Sequence, residues 1–105
     1  MVGTANAKDA SATLLFDAQA TSGVLLVRNL PALPADKSYQ LWLVDAAGQR
    51  DSGAVFTVSP DSKGIVTLVV YAPQALKSYV RCGVSIEPSG GSPKPTGPTA
   101  LTGLY

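Results

Sequence analysis

Seven carboxylates, eight basic side chains, one thiol and no histidine make up the chemical inventory of this chain of 105 residues. The missing histidine removes the commonest general base, the commonest zinc ligand and the usual pH switch together. Asp9, Asp17, Asp36, Asp45, Asp51 and Asp61 stand at strand ends or in turns, where an aspartate bonds its own backbone. Asp45 and Asp51 flank one turn, but no D-x-D-x-D-G run suited to calcium is present. No serine stands in G-x-S-x-G, Ser92-Pro93-Lys94 misses the S-x-x-K spacing, and Gly90-Gly91-Ser92 lacks the lysine and helix of a phosphate loop. The expectation is a non-catalytic protein without a metal or cofactor. Cys82 lies in an apolar run, where it is expected as a buried inert thiol with Arg81 on the opposite face.

One acidic residue has a different setting. Glu87 closes the apolar run Val84-Ser85-Ile86 and opens Glu87-Pro88-Ser89-Gly90-Gly91-Ser92-Pro93-Lys94-Pro95-Thr96-Gly97-Pro98, in which seven of twelve residues are glycine or proline. Its carboxylate can accept amides from the glycine turn and order the loop, or present charge to a partner. A structureless stretch of this length inside a domain is either functional or disordered. Glycine opens positive φ while proline stiffens the chain, and the mixture predicts a specific path along the domain surface.

The elements that position this loop are short strands. Apolar residues make up 46% of the chain and charged residues 14%, enough for one core and too little charge for disorder. The basic residues are scattered without interleaved aromatics, so nucleic acid is not an expected partner. Residues 1–10 read as a flexible lead-in and 11–105 as a single domain. Strands are expected at Ser11–Asp17 and Val24–Arg28 as one hairpin, at Tyr39–Asp45, at Gly53–Val58 and Gly64–Tyr71 as a second hairpin, at Tyr79–Ile86 and at Thr99–Leu104. Tyr39–Asp45 is apolar on both faces and reads as a central strand. Pro31 and Pro34 mark an extended crossing, and Pro73–Ser78 a single helical turn. About seven antiparallel strands at regular spacing predict an immunoglobulin-like two-sheet β-sandwich, with a small β-barrel as the alternative. Trp42, Tyr39, Tyr71 and Tyr79 are expected at core or half-buried positions, the alternative being an exposed aromatic patch.

Tyr39-Gln40-Leu41-Trp42-Leu43-Val44-Asp45, followed some forty residues later by the run from Val84 to Pro98, resembles the C-terminal domain of the anti-sigma-K factor family. Gly23 to Leu30 with Pro31 and Pro34 is similar to the lead of the same pattern, and the likeness extends from about Ser11 to Leu104. Its signature residues here are Gln40, Trp42, Glu87, Pro88, Gly90, Gly91, Ser92, Pro93, Pro95, Thr96, Gly97 and Pro98. The resemblance implies a regulatory or sensor domain on the extracytoplasmic side of a bacterial membrane. It would be tethered through a single transmembrane helix to a cytoplasmic domain that holds an extracytoplasmic-function sigma factor, neither part being in this sequence. It further implies signalling by regulated proteolysis, with a site-1 protease or an unknown ligand as partner and 1–10 as the stalk. The second expectation, from a different class, is a cell-surface adhesion or carbohydrate-binding module using the long loop or Trp42.

Overall fold

Alternation of buried and exposed residues with period two runs through β2 (Ser11–Leu15), β3 (Ser22–Arg28) and β6 (Val66–Tyr71), as expected for strands with one face on a core. β4 (Lys37–Asp45) is buried at every position from Ser38 to Val44. The computed structural model describes all residues except Ala18, Lys63, Leu104 and Tyr105, and not the side chain of Ser62. The remaining strands are β1 (Val2–Gly3), β5 (Arg50–Phe56), β7 (Tyr79–Pro88) and β8 (Thr99–Gly103), with 3-10 turns at Pro60–Ser62 and Leu76–Ser78. The expected end of the last strand at Leu104 and parts of the turns containing Ala18 and Lys63 lie outside the described residues. Among the described residues no helix is long and apolar enough to cross a membrane.

All eight strands form one antiparallel sheet in the order β5-β4-β7-β8-β1-β2-β3-β6. The all-β class is as the residue pattern implies. Of the two arrangements expected, the small barrel is the nearer description, because the sheet is continuous and curls until its edges meet. Leu25, Val27, Leu41, Leu43, Val70, Val84 and Leu101 fill its interior, each at most 1% exposed. Tyr39 stacks on Phe56 at 5.7 Å between ring centroids and donates its hydroxyl to the carbonyl of Pro31, which pins the proline crossing onto the core.

Two expectations are corrected. Gly53–Val58 and Gly64–Tyr71 do not form a hairpin: β5 pairs with β4, β6 pairs with β3, and these two strands are the edges of the sheet. Turn-forming residues between two apolar runs mark a reversal but not which strands pair across it. Here the connection turns through Pro60–Ser62 and crosses from one edge to the other. The first ten residues are not a frayed lead-in. Val2 pairs with Ser11 and with Thr102, the amino terminus donates to the carbonyl of Ala12, and Ala7 and Ala10 are buried. Small side chains at Gly3 and Ala7 permit this packing, since a Cβ at Gly3 would lie 1.8 Å from the carbonyl oxygen of Ala7. The helical turn is confined to Leu76–Ser78, after Pro73.

The meeting of the edges depends on Gly53. The register of β4 against β5 shifts between Leu41 and Trp42, so that Leu41 faces Ala54 and Trp42 faces Ser52. Gly53 is the extra residue of this bulge, and bulges bend the strand that carries them. A Cβ there would meet Val70 Cγ1 at 2.9 Å, Leu41 Cδ2 at 3.1 Å and Leu43 Cδ1 at 3.2 Å. Gly53→Ala is expected to cost about 1–3 kcal/mol in urea denaturation by overpacking. Combining it with Val70→Ala should restore part of that loss, a non-additivity expected of touching residues.

Candidate functional site

Side chains of β4 divide by face. Tyr39, Leu41 and Leu43 enter the core, whereas Ser38, Gln40, Trp42 and Val44 point to the other side, where they are nonetheless buried. Across β7 the register places Ser38 opposite Glu87, Gln40 opposite Ser85 and Trp42 opposite Gly83. These residues form a polar strip on the outer face of the barrel. The run 89–98, here the strap, lies over it.

The strap is held by side chains that imitate a strand. Gln40 Oε1 accepts the Ser92 amide at 2.8 Å, and Gln40 Nε2 donates to the Ser92 carbonyl at 3.1 Å and to Ser52 Oγ at 2.8 Å. The Gly91 amide closes a turn onto the Pro88 carbonyl, with Gly90 at φ 88° and Gly91 at φ 89°, both in the left-handed region that favours glycine. The two glycines differ in surroundings. A Cβ at Gly90 meets nothing within 4 Å, while one at Gly91 would lie 2.8 Å from Val55 Cγ2. At the far end a Cβ on Gly97 would lie 1.7 Å from the Ile86 carbonyl oxygen, and the Ile86 amide donates to the Pro98 carbonyl at 2.9 Å. No residue with a side chain fits at Gly97 without moving the strap.

Glu87 closes the structure. It is 1% exposed, and among the described residues its carboxylate has no cationic partner. Thr96 donates its amide to both carboxylate oxygens at 3.1 Å and its hydroxyl to Oε1 at 2.6 Å, and the Gly97 amide donates to Oε2 at 3.2 Å. From the sheet side Ser85 Oγ donates to Oε2 at 2.5 Å and itself accepts the indole N–H of Trp42 at 2.8 Å. A relay therefore runs from the ring of Trp42 through Ser85 to the carboxylate and into the strap backbone. Burial alone would raise the Glu87 pKa. The hydrogen bonds from Ser85 and Thr96 side chains and the Gly97 and Thr96 amides more than offset it and hold the group down at about 2.

This chemistry is structural. A carboxylate ionised at every physiological pH, with both oxygens engaged, neither donates nor accepts a proton in the working range. No buried side-chain nitrogen or oxygen among the described residues lacks a partner. Among them no group of three His, Cys, Asp or Glu residues is placed to hold a metal. Cys82 is buried, unpaired with another cysteine, and raised to about 11 by burial. The Asp45–Asp51 turn is self-satisfied: Asp45 Oδ1 accepts the Ala47 and Gln49 amides, and Asp51 Oδ2 accepts the Tyr79 hydroxyl at 2.6 Å.

Of the signature residues, Gln40, Trp42, Glu87, Gly91, Ser92, Thr96 and Gly97 converge on one layer, and Pro88 and Pro98 supply carbonyls that end the strap. Gly90 shapes the turn and donates its amide to Ser38 Oγ at 3.4 Å, and Pro93 and Pro95 are exposed. Trp42, Tyr39 and Tyr79 are at most 4% exposed, whereas Tyr71 is 69% exposed, so three aromatics expected inside are there and one is not. Ser85 and Ser52 were not singled out by sequence. Ser85 stands two residues before Glu87, the spacing that puts both on one face of a strand, and that signal was available.

Residues 1–100 match the family model described as anti-sigma-K factor rskA, C-terminal. Curated relatives include the anti-sigma-K factor RskA of Mycolicibacterium vanbaalenii, 33% identical over 88 residues that cover 84% of this chain and 35% of the relative. The Mycobacterium ulcerans protein of the same name is 34% identical over 89 residues, covering 83% and 35% respectively. That of Mycobacterium tuberculosis strain H37Rv is 28% identical over 88 residues, covering 83% and 36%. No solved structure matches the chain. The chain belongs to the anti-sigma-K factor C-terminal family, and spans about a third of the length of these relatives, 35% for the first two.

The Glu87 account carries a pH signature. Its folded pKa lies below the ordinary 4.5, so its contribution is full above about pH 4.5 and is lost as pH falls towards 2. Chemical denaturation from pH 5 to pH 2 should show wild type losing about 3 kcal/mol more than Glu87→Gln. At pH 7 the variant should be less stable by about 2–3 kcal/mol, because its amide group meets donors where a carboxylate accepted.

Proposed function

We propose that this domain is the extracytoplasmic regulatory part of a membrane-bound anti-sigma factor, and that it acts without catalysis. The supporting observation is the family match over residues 1–100, joined to the span of about a third of the relatives' length. In this reading the sigma-binding segment and a single membrane helix belong to the remaining two-thirds, and the partner of the whole protein is an extracytoplasmic-function sigma factor. The domain holds the assembly in its uncut state while it is folded. A ligand or stress that favours an opened form exposes the chain to a site-1 protease, and the sigma factor is released.

The geometry supplies a candidate for the folded-versus-open element. The strap is joined to the sheet through the Glu87 carboxylate, the Gln40 amide and backbone bonds at its ends. Residues 1–10, expected as the stalk, pair with β2 and β8, and β8 follows the strap directly. Loosening the strap therefore bears on the strand that holds the amino-terminal segment. A signal shifts such an equilibrium only by binding the two forms with different affinity.

The expected outcome is read in a chimera in which this domain replaces the matching region of the Mycolicibacterium vanbaalenii relative, with a sigma-dependent reporter and an immunoblot. The wild-type chimera should keep the reporter low. Glu87→Gln and Gly97→Ala should raise it several-fold, with a shortened membrane-bound fragment appearing. A low reporter and an intact chain in both variants, with the isolated variant domains measurably destabilised, would contradict the proposal. An adhesion or carbohydrate-binding module, the second reading, finds less support, since the Trp42 ring on which it would rely is 4% exposed with its N–H engaged.

A further inference from the structure

The outer face carries a second feature that the strap network does not use. Arg50 of β5 and Arg81 of β7 both lie directly opposite Val44 of β4. Directly opposed residues in antiparallel strands share a face, so the two arginines flank Val44 at about 10 Å, two interstrand spacings. Together with Pro95 of the strap they line an open groove of about 210 Å³ with Val44 and Thr102 in its wall. A second hollow of about 350 Å³ continues from it, sharing Arg50 and Pro95 and adding Lys94.

Three of the chain's eight basic residues thus border one continuous depression. All three are exposed, and no side-chain hydrogen bond or ion pair engages them among the described residues. The nearby carboxylates are committed elsewhere. Asp45 caps its own turn, Asp51 holds Tyr79, and Glu87 stands six residues along β7 from Arg81, about 20 Å away. Like charges held together without a direct ion-pair partner repel, and an anion seated between them removes that repulsion. Planar guanidinium forks bind phosphate oxygens in bidentate fashion, and lysine adds a point charge. The apolar walls of Val44 and Pro95 reduce the screening that water would impose.

We propose that this groove is a phosphoryl-binding site, with Arg50 and Arg81 gripping the anion and Lys94 closing it from the strap. The shared chemistry fits a free polyphosphate or an anionic lipid headgroup, and the experiment separates the two. It stands apart from the regulatory reading, since it asks only what the groove binds.

The test is a titration of the isolated domain with sodium tripolyphosphate at low salt, followed by amide chemical shifts. Co-sedimentation with phosphatidylglycerol vesicles against phosphatidylcholine vesicles provides the second arm. The wild type should show shifts centred on Arg50, Arg81 and Lys94, and Arg50→Gln combined with Arg81→Gln should weaken binding at least tenfold with thermal unfolding unchanged. Lys37→Gln, seven residues along β4 from Val44 and so about 23 Å from the groove, should leave binding as it was. Retention on phosphatidylglycerol vesicles that the double variant loses would assign the headgroup source, and tripolyphosphate shifts without vesicle retention the free one. No response to either probe, or equal binding by the double variant, would overturn the proposal.

Discussion

A single buried carboxylate organises the outer layer of this domain. Among the described residues no cation stands beside Glu87 under the strap, and its charge is met by donors from two directions: Ser85 on the sheet, and Thr96 and Gly97 on the strap. Removing an anion from water is costly unless such bonds replace the lost hydration. The same requirement works in reverse, because the strap must adopt the path that delivers those donors. That makes the carboxylate a positional instruction. Gln40 repeats the device with an uncharged amide, bonding both the amide and the carbonyl of Ser92. A proline-rich segment cannot supply a full strand ladder, and two side chains supply the pairing instead.

This arrangement accounts for the double burial of β4. One face carries Leu41 and Leu43 into the barrel, and the other lies under the strap, so the strand has no solvent face from Ser38 to Val44. The barrel itself is asymmetric. Its covered side is β4 and β7, while across β2, β3 and β6 the residues Leu15, Val24 and Val69 stand opposite one another and exposed. Gly53 and its bulge bring the β5 edge against β6 without a ladder between them.

Much of this was legible in the residues. Alternation gave the strands, the apolar faces of Tyr39–Asp45 gave its central place, and the glycine and proline content of Glu87–Pro98 gave an ordered crossing anchored at Glu87. What escaped has physical causes. The pairing of β5 with β4 and not β6 is decided by which apolar faces meet in three dimensions, and turn residues at Ser59–Lys63 carry no information on that. The β1 segment is two residues long and has no period to detect. The role of Ser52 depends on cross-strand register, which one chain's sequence does not display. The neighbouring placement of Arg50 and Arg81, thirty-one positions apart in sequence, was hidden for the same reason and read there as scattered charge.

The chain belongs to the anti-sigma-K factor C-terminal family, and under the proposed regulatory reading the strap is where folding and regulation would meet. A region held by one ionised group and a few amides can open as a unit while the barrel stays closed, since local stability follows local bonding. The most direct measurement is amide hydrogen exchange at Thr96 and Gly97. The account predicts protection comparable to that of the β4–β7 ladder at neutral pH, falling sharply at both residues in Glu87→Gln while Leu41 and Val84 stay protected. Exchange at Thr96 and Gly97 as fast as at the exposed Lys94 of the strap in the wild type, unaffected by the substitution, would contradict it.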